Sequence, residues 1–198
     1  MEWLIKAERE MIEKKAVSTK SKIVIVPLGD VDYGIVNKLA TNLVSIFNAA
    51  VDILQGIRIP QEAYNQQRGQ YYSTVILNKL DLLRANPREK ILGVIDEDLY
   101  VPSLNFVFGE ADPLSKVAVI SLFRLKQENY DATDEEGLYF SRLSKEAVHE
   151  LGHLIGFKHC PNPRCVMYFS NSLLETDRKS EKFCDNCLRK ARVEGSLV

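Results

Sequence analysis

All three histidines of this 198-residue chain lie within eleven consecutive positions, at His149, His153 and His159. Residues four apart lie on one face of a helix, so the imidazoles of His149 and His153 can point at the same metal ion. Gly156 suits the left-handed conformation that ends a helix, after which the chain can turn and bring His159 to the ion. Two chance histidines on a core helix are the alternative, but a third histidine in register favours a metal site.

Glu150 directly follows the first of these histidines, and its position indicates a catalytic role for the metal site. The run from His149 to His159 has the pattern H-E-x-x-H-x-x-G-x-x-H, in which the glutamate projects beside the metal as a general base rather than as a ligand. Three protein nitrogens leave one position of a tetrahedral zinc ion open, which is typical of a catalytic site. The sequence therefore predicts a catalytic zinc held by the three histidines, with Glu150 as the catalytic residue.

Four cysteines form a second cluster in the sequence. Their pattern is C-x4-C-x18-C-x2-C, and they are Cys160, Cys165, Cys184 and Cys187. Thiolates in such pairs suit a closed, tetrahedral structural zinc site that supplies folding energy. Two disulfides are the alternative, and they would need an oxidising compartment. The charged residues 1–10 lack the apolar core of a secretory signal, so we expect a cytoplasmic protein and a zinc site.

The segment from His149 to Cys187 resembles one group of peptidases in particular. It couples the extended histidine motif and its adjoining cysteine to C-x-M and a downstream C-x-x-C, a combination similar to that of the archaemetzincins. Met167 resembles the methionine of the Met-turn, which metzincins pack beneath their metal-binding imidazoles. In some metzincins a tyrosine two residues beyond this methionine approaches the zinc. Phe169 stands there in this chain, so that role is not carried over.

The resemblance, which spans about forty residues, implies a set of functional properties. It implies a zinc metallopeptidase with two zinc ions per chain, one catalytic and one structural, and a peptide or protein substrate. It also implies a metzincin-like fold in which an antiparallel edge strand forms the upper rim of the cleft and binds extended substrate. By its order in the chain, Asn105 to Glu110 resembles that strand, with an ordinary hairpin arm as the alternative.

Hydrophobic periodicity predicts alternating strands and helices before the histidine motif, and hence an α/β fold with a twisted mixed sheet packed on helices. Strands are expected at 23–28, 51–57 and 90–95, helices at 2–15, 33–50 and 61–84, and an antiparallel hairpin from 105–110 and 116–125. The zinc-binding helix should run from about 131–136 to Ile155. We expect a single domain over residues 1–198, with an N-terminal lobe at about 22–156 and a small zinc-stabilised C-terminal lobe at about 157–198.

Composition narrows the function classes. A net charge of −1 gives no electrostatic case for binding nucleic acid, and no apolar run is long enough to span a membrane. Basic residues do occur near the C-terminus, but acidic residues interleave with them, which favours a solvated surface; they are Arg178, Lys179, Lys182, Arg189, Lys190 and Arg192. The expected activity is peptide hydrolysis by metal-activated water with Glu150 as general base and acid. A degenerate zinc protein that serves as a protein- or nucleic-acid-binding module is the alternative.

Overall fold

A computed structural model of the chain describes residues 22–126 and 135–193. The strands of the described residues are β1 (Lys22–Leu28), β2 (Ala50–Ile53), β3 (Tyr64–Asn65), β4 (Gln70–Tyr72), β5 (Glu89–Ile95), β6 (Leu99–Tyr100), β7 (Gly109–Asp112) and β8 (Val117–Ser121). The α-helices are α1 (Tyr33–Phe47), α2 (Ser73–Asp81), α3 (Glu135–Leu154), α4 (Leu173–Arg178) and α5 (Asp185–Val193). The predicted helix at 2–15 and the predicted start of the zinc-binding helix at 131–134 lie outside the described residues.

Five strands form the main sheet, in the order β2-β1-β5-β8-β7. β1 pairs in parallel with both β2 and β5, and β5 pairs in parallel with β8. β7 runs antiparallel to β8 at the edge of the sheet. This arrangement confirms the predicted α/β fold with a mixed sheet and one antiparallel edge strand. A smaller sheet, in the order β3-β4-β6, lies beside it.

Successive side chains of a strand point to opposite faces of the sheet. The central strands β1, β5 and β8 are buried at nearly every position, so both faces of the sheet are covered there. On one face Ile23 and Ile25 pack in a cluster with α1 and α3, together with Met167 from the C-terminal part of the chain. On the other face Val24 and Val26 pack against α2. The zinc-motif helix α3 therefore lies directly on the sheet, which fixes where its motif residues point.

The predicted long helix at 61–84 is wrong. Residues Gln61–Ala63 form a 3-10 turn, β3 and β4 form a small hairpin, and only α2 is α-helical in this region. Gly69 has φ of +64° and makes the turn between the two strands. Tyr64 and Tyr71 then pair across them, with ring centroids 5.0 Å apart. The cross-strand pairing of these tyrosines and the turn at Gly69 override the helical spacing of the apolar residues.

The predicted hairpin is present, but its strands differ from the predicted ones. Residues 105–108 precede β7 rather than belonging to it, and Val107 forms an isolated bridge with Leu99. The second strand ends at Ser121, because Phe123–Leu125 form a 3-10 turn. The edge strand is therefore Gly109–Asp112, while the predicted segment from Asn105 approaches it along the rim.

The part of the chain after α3 is short and carries two small helices, α4 and α5. Phe157 stacks on Phe183 with ring centroids 4.5 Å apart, so the start of this part packs on the segment that leads into α5. The division into two lobes near Gly156 stays a prediction. Of the helices within the described residues, none has both the length and the apolar composition that crossing a bilayer requires.

Candidate active site

Helix α3 brings the first two histidines of the motif together. The Nε2 atoms of His149 and His153 lie 3.1 Å apart. A tetrahedral zinc ion with bonds of about 2.0–2.1 Å to nitrogen separates its ligand atoms by about 3.3 Å, so this spacing fits zinc. The other ring nitrogen of each histidine contacts a backbone carbonyl: Nδ1 of His149 lies 2.7 Å from the oxygen of Val166, and Nδ1 of His153 lies 2.8 Å from that of Phe157. Such contacts fix the tautomer that leaves Nε2 free for a metal.

His159 reaches the same point from beyond the end of the helix. Gly156 has φ of +99°, the left-handed conformation expected after the motif helix. The ring centroid of His159 then lies 5.3 Å from that of His149 and 4.9 Å from that of His153. One ligand atom from each of the three histidines lies within 4.8 Å of the other two. The structure therefore brings together the three residues that the motif predicts as ligands.

The protein environment keeps these imidazoles neutral, as metal binding requires. Burial, helped by the nearby positive charge of Lys179, lowers the pKa of His149 to about 2. Burial also lowers the pKa of His153 and of His159. Protons therefore compete weakly with a metal for these nitrogens near neutral pH.

Glu150 is buried beside the histidines, at the point where α3 meets the edge strand. A Cβ atom added at Gly109 of β7 would lie 2.7 Å from both Cγ and Oε1 of Glu150, and 2.8 Å from the carbonyl oxygen of Val119. Only a residue without a side chain fits here. Burial, together with the negative charge of Glu146, raises the pKa of Glu150 well above its ordinary value. A raised pKa suits a carboxyl group that must both accept and donate a proton.

Met167 lies beneath the histidine motif, in the tight turn that the sequence analysis compared with a Met-turn. The N–H of Tyr168 donates to the carbonyl of Cys165 at 2.9 Å and closes this turn. Met167 is fully buried, and a Cβ atom added at Gly152 would lie 2.5 Å from its Sδ atom. Gly152 thus lets the thioether approach the helix between the first two histidines.

The four cysteines also come together, on the far side of the turn. Sγ of Cys160 lies 3.8 Å from Sγ of Cys184, and Sγ of Cys165 lies 3.8 Å from Sγ of Cys187. A tetrahedral zinc ion with bonds of about 2.3 Å to sulfur separates its ligands by about 3.8 Å, whereas a disulfide bond is about 2.0 Å long. The spacing fits the predicted metal site rather than the disulfides. His159 and Cys160 are neighbours in the chain, so one peptide bond joins the two clusters.

A cleft with a volume of about 550 Å³ opens onto the histidines. Its lining is mainly apolar, and its upper side is the segment 104–111, which includes the start of β7. Arg68 holds this side in position by donating to the carbonyl oxygens of Leu104 and Asn105, at 3.0 and 2.9 Å. Glu110 is pinned by Thr74, whose hydroxyl donates to its carboxylate at 2.9 Å.

Two further residues of the site carry no motif signal. Glu146 lines the cleft one helical turn before His149, and Lys179 pairs with it in the interior. The prediction that Lys179 belongs to a solvated basic surface is wrong, because its side chain is fully buried. A lysine among other charged residues gives no sign of burial in a sequence. Its position after the short helix α4 turns it inward.

Comparisons with known proteins agree with this geometry. The sequence profile described as Peptidase family M54 matches residues 31–193. The archaemetzincin of Methanocaldococcus jannaschii is 42% identical over 177 residues, which cover 89% of this chain and 96% of that protein. The crystal structure of the archaemetzincin from Archaeoglobus fulgidus, complexed with malonate, is similar with a TM-score of 0.75 and 44% identity, and the match covers 85% of this chain and 99% of that one. A zinc-dependent peptidase from Methanocorpusculum labreanum is similar with a TM-score of 0.77 and 33% identity, over 85% of this chain and 99% of that one.

Proposed function

The chain belongs to peptidase family M54, the archaemetzincins, and is a zinc metallopeptidase. We propose that it cleaves peptide bonds with Glu150 as the general base. The ligands of the catalytic zinc in this proposal are His149, His153 and His159. The observation that carries this proposal is the meeting of three imidazole nitrogens, within 4.8 Å of one another, beside one buried carboxyl group. An open metal position next to a base is the arrangement that hydrolysis by water requires.

A zinc ion held by these histidines would lower the pKa of bound water to about 7 and polarise the scissile carbonyl. Glu150 takes the proton of the attacking water and then delivers a proton to the leaving amine. Burial raises the pKa of Glu150 in the metal-free protein, and a zinc cation nearby would lower that pKa toward the pH at which the group must do both. Gly109 leaves the room that the carboxylate needs to remain beside the reacting groups.

The substrate of this proposal is a peptide or an extended segment of a protein. β7 pairs with β8 along one side only and borders the cleft, so its other side can bind an extended peptide as a further strand. The apolar lining, which includes Phe106 and Phe169, suits hydrophobic side chains next to the scissile bond.

A second zinc ion, at Cys160, Cys165, Cys184 and Cys187, forms part of the proposal. The sulfur–sulfur distances of 3.8 Å support it. Burial by itself would raise the pKa of Cys184, but donation from the backbone N–H of Cys187 and from neighbouring thiols lowers it to about 7. The Cys184 thiol therefore ionises readily, whereas burial raises the pKa of Cys165 and of Cys187, whose thiolates a zinc ion would have to stabilise. Reduced, metal-bound cysteines also agree with the proposed cytoplasmic location.

The proposal is tested by assaying a broad panel of peptides, including some with free amino termini, with the native chain and with Glu150→Gln. Glutamine keeps the size of the side chain but cannot accept a proton from water. We expect zinc to stay bound while hydrolysis falls by roughly 10²–10⁴-fold. Loss of zinc from the variant would make Glu150 a ligand or a ligand-positioning group. Hydrolysis at the native rate would show that another group is the base, and silence from both proteins would favour a binding module.

A further inference from the structure

The three histidines of the catalytic cluster are not held in the same way. His149 and His153 each contact a backbone carbonyl through Nδ1, at 2.7 and 2.8 Å. Among the described residues, none hydrogen-bonds to the His159 imidazole, which packs on the rings of His149, His153 and Phe169. His159 is also the exposed member of the three. The ligand that completes the site thus lacks the hydrogen bond that orients the other two.

Phe169 lies against this third histidine. Its ring centroid is 4.9 Å from that of His159, and the two ring planes are tilted by 45°. Aromatic pairs at this separation attract each other beyond the burial of their surface. Phe169 is 42% exposed and lines the same cleft as His159, so the contact between the two rings lies at the cleft.

The backbone brings these two rings together. The N–H of Cys160 donates to the carbonyl of Met167 at 2.8 Å, which joins the segment that carries His159 to the turn. Phe169 is two residues beyond Met167 and leaves the same turn toward the cleft. The ring contact therefore adds a second connection between the two segments.

We propose that Phe169 is a positioning residue for His159, whose imidazole it holds toward the metal by ring packing instead of a hydrogen bond. This inference rests on the proposed function, in which the three histidines bind the catalytic zinc. An aromatic ring suits the role because it has few rotamers and a flat face that restrains the neighbouring imidazole. Without the ring, His159 samples orientations that point away from the ion, and the zinc leaves faster.

The test measures how fast a chromophoric chelator removes zinc from the native protein and from three variants. Phe169→Leu keeps an apolar side chain but loses the ring, and Phe169→Tyr keeps the ring. Phe106→Leu is the matched control, because Phe106 is another aromatic residue of the cleft whose ring contacts are with Phe108 and Arg124. Since Phe169 is partly exposed, its replacement leaves no internal cavity, and slow release from the cysteine site serves as an internal reference.

We expect Phe169→Leu to speed release of the histidine-bound zinc by roughly tenfold, the lower end of the effect of removing a group that orients a metal ligand. Phe169→Tyr and Phe106→Leu should release zinc at about the native rate. Native release rates in Phe169→Leu would overturn the inference, and a changed KM for peptides in that variant would leave Phe169 with its place in the cleft wall alone. If the native protein binds no zinc at its histidines, the proposed function fails and this inference fails with it.

Discussion

The Nζ atom of Lys179 lies 3.0 Å from Oε1 of Glu146, and both side chains are withdrawn from solvent. The same carboxylate oxygen accepts a hydrogen bond from Thr176 at 3.1 Å, and Lys179 donates to the carbonyl of Tyr168 at 3.4 Å. The pair thus connects the zinc-motif helix, the turn beneath it and the end of α4. A positive charge close to a metal site is tolerated because Glu146 compensates it.

Lys179→Met should destabilise the protein by about 3–5 kcal/mol, since it leaves the carboxylate of Glu146 buried without its counter-charge. Adding Glu146→Gln to this variant should recover most of the loss, because a neutral amide still accepts the hydrogen bond of Thr176. Denaturant unfolding of the zinc-loaded proteins measures both changes.

The matched control for this pair is Asp52→Asn. It breaks a 2.7 Å ion pair with Lys22 that is more than one third exposed, so it should cost less than about 1 kcal/mol. Equal losses in the buried and exposed variants, or a double variant no more stable than Lys179→Met, would contradict the role assigned to the pair.

Gly109→Ala should slow catalysis without removing zinc. The new methyl group would lie 2.7 Å from Glu150 and 2.8 Å from the carbonyl of Val119, so the carboxylate or the edge strand must move. Misplacing a catalytic group by about 1 Å can cost on the order of 10²-fold in rate. Measurements of kcat and of zinc content separate this outcome from a loss of metal.

Gly69→Ala provides the comparison, since an added Cβ there meets open space and φ is +64°. That variant should lose about 1 kcal/mol of stability and retain native kcat. A native kcat in Gly109→Ala would show that the position of Glu150 tolerates the crowding.

Zinc binding at the histidines should release a proton from Glu150. Burial raises the pKa of this carboxyl in the metal-free protein, so it is protonated at a pH where an ordinary glutamate is not. A zinc cation nearby favours the charged carboxylate and lowers that pKa. Burial lowers the pKa of all three histidines, so they contribute less to this release. Below the metal-free pKa of Glu150, zinc affinity should therefore fall as the pH falls.

Calorimetric titration with zinc at pH 6 counts the released protons when it is repeated in buffers of different ionisation enthalpy. The cysteine site is filled with zinc beforehand. That pH is below the pKa of about 7 of zinc-bound water. We expect the native chain to release up to one proton more than Glu150→Gln. Release of two protons from both would mean that the histidines are protonated before zinc binds.

The two metal clusters should respond differently to substitution and to chelator. Elemental analysis should give two zinc ions per chain, with the histidine-bound ion lost first because its fourth position exchanges with water. His153→Ala should remove that ion and the activity but leave the fold intact, whereas Cys184→Ser should lower the unfolding temperature strongly. A single zinc, or equal unfolding of both variants, would contradict the division into catalytic and structural sites.

The sequence predicts well those features that depend on short spacing. The spacing of His149 and His153 favours a helix that Gly156 ends, so local geometry predicts the histidine cluster. The meeting of the two cysteine pairs is predicted instead by the paired spacing that zinc sites use. The parallel strands β1 and β5 are equally clear in the sequence, since runs such as 23–28 are buried on both faces and form continuous apolar segments.

Other features depend on contacts that no local pattern encodes. The apolar spacing of residues 61–84 fits a helix, but the turn at Gly69 and the pairing of Tyr64 with Tyr71 make a hairpin. Lys179 is charged in a charged segment, and only the tertiary structure shows that it faces a buried carboxylate. The need for glycine at position 109 likewise comes from α3, which is far away in the chain.

His159 belongs to the histidine cluster and Cys160 to the cysteine cluster, so no residue separates the two proposed zinc sites along the chain. The Cα atoms of His159 and Cys160 are about 3.8 Å apart across a trans peptide bond, so this bond fixes the distance between the two residues. One residue inserted there would separate the imidazole from its partners or pull the thiol out of its cage. Chain-length variation is therefore expected to be excluded at this junction but tolerated at exposed turns such as the one around Leu114. If the four cysteines are replaced, in evolution or by design, another contact must therefore hold the backbone at His159 in place.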